Sequence, residues 1–228
     1  MQAIILCGGL STRLGPITKS IPKILLQIGS RTVLDFQLDL LKEVGVNEVV
    51  LASGHLHNAL YQAVGENYRG LRVRYAREKR KLGTGGAIKN AMSYICTSPF
   101  FVFNGDILMK GLLLSRMLAH FSPDMHGLIL GTFVQDTRSY GEIVTDDRGK
   151  ISDFHEKQSI LRSGYVNAAI YLLHPSIASF FPNRQDFSIE RDVFPCVSNL
   201  HMFKQKEGMD WFDVGVPKTL AHARHHFS

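Results

Sequence analysis

Residues 7–23 read Cys7-Gly8-Gly9-Leu10-Ser11-Thr12-Arg13-Leu14-Gly15-Pro16, then Lys23 after Pro22, directly behind the apolar run Ala3-Ile4-Ile5-Leu6. A buried strand that ends in paired glycines presents bare backbone N–H groups, and Arg13 and Lys23 add two cations to them. Such a loop can cradle a polyphosphate, so the spacing predicts a triphosphate site at the start of the chain. A plain strand-to-helix turn would account for the glycines but not for both cations. The dinucleotide fingerprint does not fit: the third glycine of G-x-G-x-x-G is missing, and no acidic residue closes the next strand, which ends near Ser53 and His55. The P-loop pattern G-x-x-x-x-G-K-[ST] is absent from the chain.

Three further segments carry residue types suited to chemistry. Asn104-Gly105-Asp106 follows an apolar run at 100–103, which places Asp106 at the carboxyl end of a strand. A carboxylate there can hold Mg²⁺ against phosphate oxygens, although Asn-Gly-Asp also makes a good turn. In Trp211-Phe212-Asp213-Val214-Gly215-Val216-Pro217, Asp213 sits between apolar residues and ahead of a helix, where simple capping is the alternative. Leu82-Gly83-Thr84-Gly85-Gly86-Ala87 carries more glycine than a helix entry requires, and glycine lets a backbone approach a ligand closely.

The elements that must position these groups are readable from periodicity. Val33, Leu34, Phe36, Leu38, Leu40, Leu41 and Val44 recur at helical spacing and stop at Gly45. Strands are expected at 48–52, 71–75 and 100–103, with helices at 57–64 and 87–94 between them. Strands alternating with helices imply right-handed βαβ units and a mostly parallel sheet, with ligands at the strand ends. The second half changes character. Residues 143–145 and 150–154 flank Asp146-Asp147-Arg148-Gly149, a hairpin signal, and 165–172 is rich in β-formers, so an antiparallel extension acting as a lid is expected. Ser188 can cap a helix reaching Cys196, and Pro217 opens a closing helix to His226. No repeat or linker divides the chain, so residues 1–228 are read as a single domain.

Composition narrows the class. With 228 residues and 45% hydrophobic content the chain can bury one large core. No apolar run has membrane-spanning length and no signal peptide is recognisable, so the expected location is the cytosol. Cys7, Cys96 and Cys196 are too widely spaced for a disulfide framework or zinc cluster. The charge of +6 suits a protein that handles small polyanions, but its cations are dispersed apart from the run at 77–81, and no basic patch with stacking aromatics suggests nucleic acid. Among the ten histidines, His222, His225 and His226 read as surface residues, while His55 and His57 follow a strand end and are candidates for a pocket.

Taken together, these segments resemble the sugar-1-phosphate nucleotidyltransferases. The first loop is similar to the family's G-G-x-G-T-R-L-x-P-x-T followed by P-K, met by Gly8, Gly9, Thr12, Arg13, Leu14, Pro16, Thr18, Pro22 and Lys23, with Ser11 where glycine is usual. Residues 82–88 match L-G-T-G-G-A-I, and 211–217 resemble W-x-D-x-G-T-P with Val216 for threonine. Glu156-Lys157, Tyr140-Gly141 and Val166-Asn167-Ala168 resemble the family's sugar-site stretches, with Gln158 for proline and Ala169 for glycine.

The resemblance implies a Rossmann-like, GT-A-like α/β domain with a mostly parallel central sheet and an antiparallel sugar-binding extension. It implies nucleotide binding by Leu6, Gly8, Gly9, Ser11, Thr12, Arg13, Lys23, Gly83, Thr84 and Gly85, and catalysis by Arg13, Lys23 and Lys157. It also implies sugar-phosphate binding by Asn104, Tyr140, Gly141, Glu156, Lys157 and Asn167, and Mg²⁺ on Asp106 and Asp213. The implied partners are a nucleoside triphosphate and a sugar 1-phosphate, with no nucleic acid or membrane and a homo-oligomer left open. The chain ends after its last helix, where some relatives carry a β-helical acyltransferase domain. The combination of the 82–91 segment with Phe187-Ser188-Ile189-Glu190-Arg191-Asp192 is most similar to guanylyltransferases of heptose 1-phosphates. Mannose-1-phosphate guanylyltransferases and uridylyl- or thymidylyltransferases are the runners-up, and a nucleotide-sugar-sensing module without turnover is the alternative of another class.

Overall fold

The computed structural model describes residues 1–110, 113–155, 161–205 and 210–227. Its strands are β1 (Gln2–Leu6), β2 (Gln27–Ile28), β3 (Arg31–Thr32), β4 (Glu48–Ser53), β5 (Asn67–Tyr68), β6 (Leu71–Arg77) and β7 (Phe100–Asn104) in the first half. The second half carries β8 (Ile107–Met109), β9 (Gly127–Val134), β10 (Glu142–Thr145), β11 (Ile151–His155), β12 (Gly164–Leu173), β13 (Leu200–Lys204) and β14 (Trp211–Asp213). The α-helices are α1 (Val33–Glu43), α2 (His57–Val64), α3 (Gly83–Ala91), α4 (Leu113–His120) and α5 (Pro217–Phe227).

Strands β7, β1, β4 and β6 lie side by side and pair in parallel, as the alternation of strands and helices requires. Their apolar runs do not alternate with polar residues because both faces are covered. Ala3, Ile5, Val49, Leu51, Phe101 and Phe103 join one core, closed by Leu34, Leu38 and Leu41 of α1, Leu60 of α2 and Met117 of α4. Ile4, Val50, Ala52, Phe100 and Val102 face a second core with Ala87, Ile88 and Ala91 of α3.

The antiparallel part continues this sheet and does not fold over it as a lid. β12 pairs with β7 through Ile170–Leu173 and with β9 on both sides of a register break, and its first half meets β10 at Val166. Between the halves the register breaks at residues 167–171, where Ala169 adopts φ 58°. This kink carries β10 and β11 away from the central strands, so the extension is a second wing of one sheet. The expected helix from Ser188 is also different: Ser188 does cap it, accepting from Arg191 N–H at 3.2 Å, but the chain forms a π-type turn (Ile189–Val193) and a 3-10 turn (Phe194–Cys196). Pro195 lacks the N–H that an α-helix would need there. In the other direction, α3 starts four residues earlier than the sequence suggests.

One buried polar residue in α1 was read only as part of an amphipathic stretch. Gln37 is 1% exposed, and its Nε2 donates to Asn104 O at 2.8 Å and to Ile107 O at 2.9 Å. It therefore grips both ends of the turn that holds Gly105 and Asp106. Gln37→Met keeps the volume but leaves two buried carbonyls without a donor, and is expected to destabilise the fold by about 2–4 kcal/mol in chemical denaturation. A loss under about 0.5 kcal/mol would show that the turn needs no such clamp.

Candidate active site

Three strand ends meet at the carboxyl edge of the central sheet. After β1, Cys7 N–H donates to Ala52 O at 2.9 Å, and Leu6 O accepts Gly105 N–H at 2.9 Å from the turn after β7. After β4, His55 N–H donates to Gly8 O at 3.3 Å. The turns are in van der Waals contact: a Cβ on Gly105 would stand 2.6 Å from Leu6 O, and one on Gly8 would stand 2.6 Å from Glu78 Oε1. Glycine is required at 105, where the neighbour is backbone, whereas a side chain at 8 would displace the Glu78 carboxylate. The Cys7 thiol is pushed far up by burial and by the Glu78 charge, so it is an inert packing group.

The loop after Gly9 winds as a 3-10 segment (Thr12–Lys19), with Leu14 and Thr18 buried beneath it and Arg13 outside. Thr18 Oγ1 ties it down by donating to Ser11 O at 3.0 Å and Gly15 O at 3.3 Å. Ser11 has φ 51°, in the left-handed region. Both positions where this chain replaces a usual family glycine, Ser11 and Ala169, are thus left-handed and carry strain.

Four charged groups converge beside this loop. β14 pairs antiparallel with β8 so that Asp213 lies opposite Ile107, next to Asp106, and Val214 N–H donates to Asp106 O at 2.9 Å. Lys23 Nζ forms an ion pair with Asp106 Oδ2. Asp213 Oδ1 accepts Gly215 N–H at 2.7 Å. A Cβ on Gly215 would stand 2.6 Å from Asp213 Oδ1, 2.9 Å from Arg13 Nη2 and 3.2 Å from Lys23 Nζ. A third small core of Leu14, Leu26, Leu108, Val214 and, from α5, Leu220 and Ala223 lies under all four segments and holds them in place.

Burial and the neighbouring Asp106 charge push the Asp213 carboxyl up, against Lys23, the Gly215 N–H and Arg13, which favour its ionised form. Two hard carboxylates at one point, one of them destabilised by the other, fit a divalent cation such as Mg²⁺. Among the described residues no group of three or more His, Cys, Asp or Glu side chains surrounds a common point, so further ligands would have to come from phosphate and water.

The sugar-side residues fall into place unevenly. Tyr140 packs edge-on to Trp211, with centroids 5.9 Å apart, and its hydroxyl is raised by burial and by Asp213 and lowered by Arg13, which places it at the charged cluster. Trp211 Nε1–H in turn donates to Ala168 O at 3.0 Å, tying β14 to the kink in β12. Gly141 lies against His155 O. Asn104 Oδ1 is buried with no hydrogen-bond partner among the described residues. Asn167 Nδ2 donates to Tyr171 Oη at 3.0 Å, and Asn167 Oδ1 accepts Ala169 N–H at 2.7 Å. Glu156 and Lys157 lie outside the described residues.

The glycines of the 82–86 turn have a packing reason within the chain itself. Gly83 has φ 72°, and a Cβ there would stand 2.5 Å from Phe187 O; Gly85 would meet the Phe187 ring and Gly86 would meet Gln185 O. The N–H groups of Gly85 and Gly86 both donate to Phe187 O, at 2.9 and 3.2 Å. His57 is likewise structural: its Nδ1 is 2.8 Å from Ser53 Oγ, and its ring packs against Tyr61 and Tyr75. His226 pairs with Asp210 at 2.8 Å, and His222 packs on Phe212, so the histidines near the end of the chain brace β14 against α5.

Sequence reasoning missed Glu78. It follows β6, with its N–H on Ser53 O at 2.7 Å and its carboxylate against Gly8. Burial raises its pKa, opposed by a backbone hydrogen bond from Leu82. The run at 77–81 reads as surface charge, and nothing in it sets Glu78 apart from its lysine and arginine neighbours.

A glycine loop, two cations and two carboxylates thus gather at the carboxyl edge of the mostly parallel sheet of an α/β protein. The chain belongs to the nucleotidyl transferase family, whose pattern matches residues 2–228. It is 33% identical over 225 residues to the D-glycero-alpha-D-manno-heptose 1-phosphate guanylyltransferase of Campylobacter jejuni, covering 97% of this chain and 98% of that one. It is also 33% identical over 225 residues to a probable mannose-1-phosphate guanylyltransferase of Oryza sativa, of which the chain spans 62% of the length. The crystal structure of HddC from Yersinia pseudotuberculosis complexed with GMP-PN superposes with a TM-score of 0.84 at 30% identity, covering 100% of this chain and 99% of that one.

Because the folded state raises the Asp213 carboxyl, its charged form is disfavoured by folding, and stability is lost as pH rises from the ordinary aspartate range through the raised value. Asp213→Asn keeps an acceptor for Gly215 N–H but removes the charge. In chelator at neutral pH it should therefore melt at a higher temperature than the wild type, with the difference vanishing below about pH 3.5. A lower melting temperature at neutral pH would mean that Lys23 and Arg13 already outweigh the repulsion.

Proposed function

We propose that the protein transfers GMP from GTP to D-glycero-α-D-manno-heptose 1-phosphate, releasing pyrophosphate and forming a GDP-sugar of the kind used in surface polysaccharide biosynthesis. The observation that carries the nucleotidyl transfer is the convergence of Arg13, Lys23, Asp106 and Asp213 on Gly215 beside the Gly8–Gly9 turn. An oxygen of the sugar phosphate attacks the α-phosphorus in line, the bond from that phosphorus to the bridging oxygen breaks, and pyrophosphate leaves. Positioning and charge neutralisation suffice for this step, and no covalent nucleophile is needed.

In this reading Lys23 neutralises the α-phosphate and Arg13 the leaving pyrophosphate. Asp106 and Asp213 would hold Mg²⁺, which supplies electrostatic screening of the phosphates when bound. Lys157 aims the attacking phosphate, while Glu156, Asn167 and Tyr140 meet the sugar. The guanine base is supported by the relatives' names and by Glu78. Guanine offers N1–H and the N2 amino group as adjacent donors, and a carboxylate accepts both, whereas the acceptors at the corresponding edges of the other bases are repelled by it.

The equal identity to mannose-1-phosphate guanylyltransferases supports mannose 1-phosphate as the second reading of the sugar. Pyrophosphate release measured across four nucleoside triphosphates and a panel of heptose and hexose 1-phosphates tests both. GTP with the heptose phosphate should give the highest kcat/KM; a maximum with mannose 1-phosphate moves the sugar assignment, and binding of a nucleotide sugar without release from any pair makes the protein a sensor.

Two variants test the roles. Arg13→Ala should lower kcat by roughly two to three orders of magnitude with little change in melting temperature, as expected for a preorganised charge facing the transition state. Glu78→Gln should lower kcat/KM for GTP by roughly tenfold to a hundredfold, the worth of a charge-assisted hydrogen bond, and narrow the preference over the other triphosphates. An unchanged base preference would place guanine elsewhere.

A further inference from the structure

Two residues outside the charged cluster join its two halves. Tyr171 is fully buried in the carboxyl-terminal part of β12, where the strand pairs with β7. Its hydroxyl accepts from Asn167 Nδ2 at 3.0 Å and donates to Glu190 Oε1 at 3.2 Å. The other oxygen of Glu190 accepts from Thr84 Oγ1 at 2.5 Å and Ser188 Oγ at 2.6 Å, and Thr84 Oγ1 accepts Ile189 N–H at 3.0 Å. An unbroken run of hydrogen bonds thus leads from Asn167, in the kink of β12, to Thr84, in the first turn of α3.

Both ends of this run are held in conformations that need outside support. Asn167 sits where the β12 register breaks, beside Ala169 in the left-handed region, and such strain persists only where the surroundings fix it. Thr84 lies between Gly83, at φ 72°, and Gly85, packed on Phe187. The bridge between them is a carboxylate held by three hydroxyls, an arrangement that adds less to stability than apolar packing of the same volume and is sensitive to the removal of any member. The run also passes the charged cluster: after burial and Glu190, the charge of Asp106 contributes to raising the Tyr171 hydroxyl.

We propose that Tyr171 and Glu190 are positioning residues that hold the sugar-facing amide of Asn167 in register with the nucleotide-facing turn at 82–86, so that each substrate binds more tightly when the other is in place. This rests on the reading above, in which Asn167 meets the sugar 1-phosphate, and on the family resemblance, which implies nucleotide binding by Gly83, Thr84 and Gly85. Ordering one end of the run removes freedom at the other, so the second ligand meets a site already set. The coupling is reciprocal, as any binding linkage must be.

The experiment measures the affinity of guanosine α,β-methylene triphosphate with Mg²⁺, and of the sugar 1-phosphate that gives the highest turnover, each alone and each with the other saturating. The wild type should show mutual tightening of roughly fivefold or more, the usual range for a coupled pair of sites. In Tyr171→Phe the tightening should fall to about onefold for both ligands, while each ligand alone binds within about threefold of wild type and kcat falls. A purely structural role would instead weaken the single-ligand affinities and leave the ratio alone, and that result overturns the proposal. Tightening retained in Tyr171→Phe overturns it as well. If Tyr171→Phe does not fold, Glu190→Gln decides in the same way, because its amide end can no longer accept from Thr84 and Ser188. A wild type that binds neither ligand refutes the functional reading and the coupling together, whereas a wild type that turns over without mutual tightening refutes the coupling alone.

Discussion

Two like charges brought to one point are the constraint around which this molecule is arranged. The pairing of β8 with β14 sets Asp213 beside Asp106, and Asp213 is half-buried when it gets there. Ionised carboxylates so placed repel, and burial weakens the screening that water would provide. Lys23 on Asp106 and Arg13 near Gly215 answer that repulsion in the protein alone. They are also the cations a triphosphate would draw toward itself. A divalent ion held by the carboxylates would then replace the compensation they give up, and metal and nucleotide would be linked by charge balance.

Much of the remaining structure serves to keep these four groups from drifting apart. They come from separate stretches of chain, and the small core of Leu14, Leu26, Leu108, Val214, Leu220 and Ala223 is common to them all. Gln37 fixes the Asp106 turn from α1, and Trp211 fixes β14 to the kink of β12. The kink matters because it converts one strand into two: Ile170–Leu173 belong to the central sheet, whereas Val166 belongs to the wing that carries the sugar-side residues. Strain at Ala169 accompanies that change of direction. A destabilised charge pair and a strained strand both cost stability, and the cores on both faces of the sheet offset that cost.

The central strands and the first helix were legible because their signal is local. An uninterrupted apolar run bounded by glycine reads as a doubly covered strand, as at Ala3-Ile4-Ile5-Leu6, and helical spacing from Val33 to Val44 has no competing period. That Arg13, Lys23, Asp106 and Asp213 come together in space was suggested by motif order: Asp106 follows an apolar strand, while Arg13, Lys23 and Asp213 lie in segments that resemble one family's pattern. What escaped depends on contacts between distant segments. Glu78 lies in a run of charges, and only the approach of Gly8 distinguishes it. The packing reason for the 82–86 glycines is hidden in the same way, because the space beside them is filled by Phe187 and Gln185, about a hundred residues further along the chain. β9 and β13 escape because their pairing partners are remote, and the helix expected from Ser188 to Cys196 gives way to two short turns because Pro195 lacks the N–H that an α-helix needs.

The central claim is that Asp106 and Asp213 together form one divalent-cation site that closes on a nucleoside triphosphate. Electron paramagnetic resonance of Mn²⁺ titrated into the protein with GTP and without sugar phosphate tests it most directly. One ion per chain should bind in the wild type, with the affinity falling by roughly tenfold or more in Asp106→Asn and again in Asp213→Asn, as expected when a coordinating carboxylate is lost. Equal stoichiometry and affinity in the wild type and in both variants would contradict it.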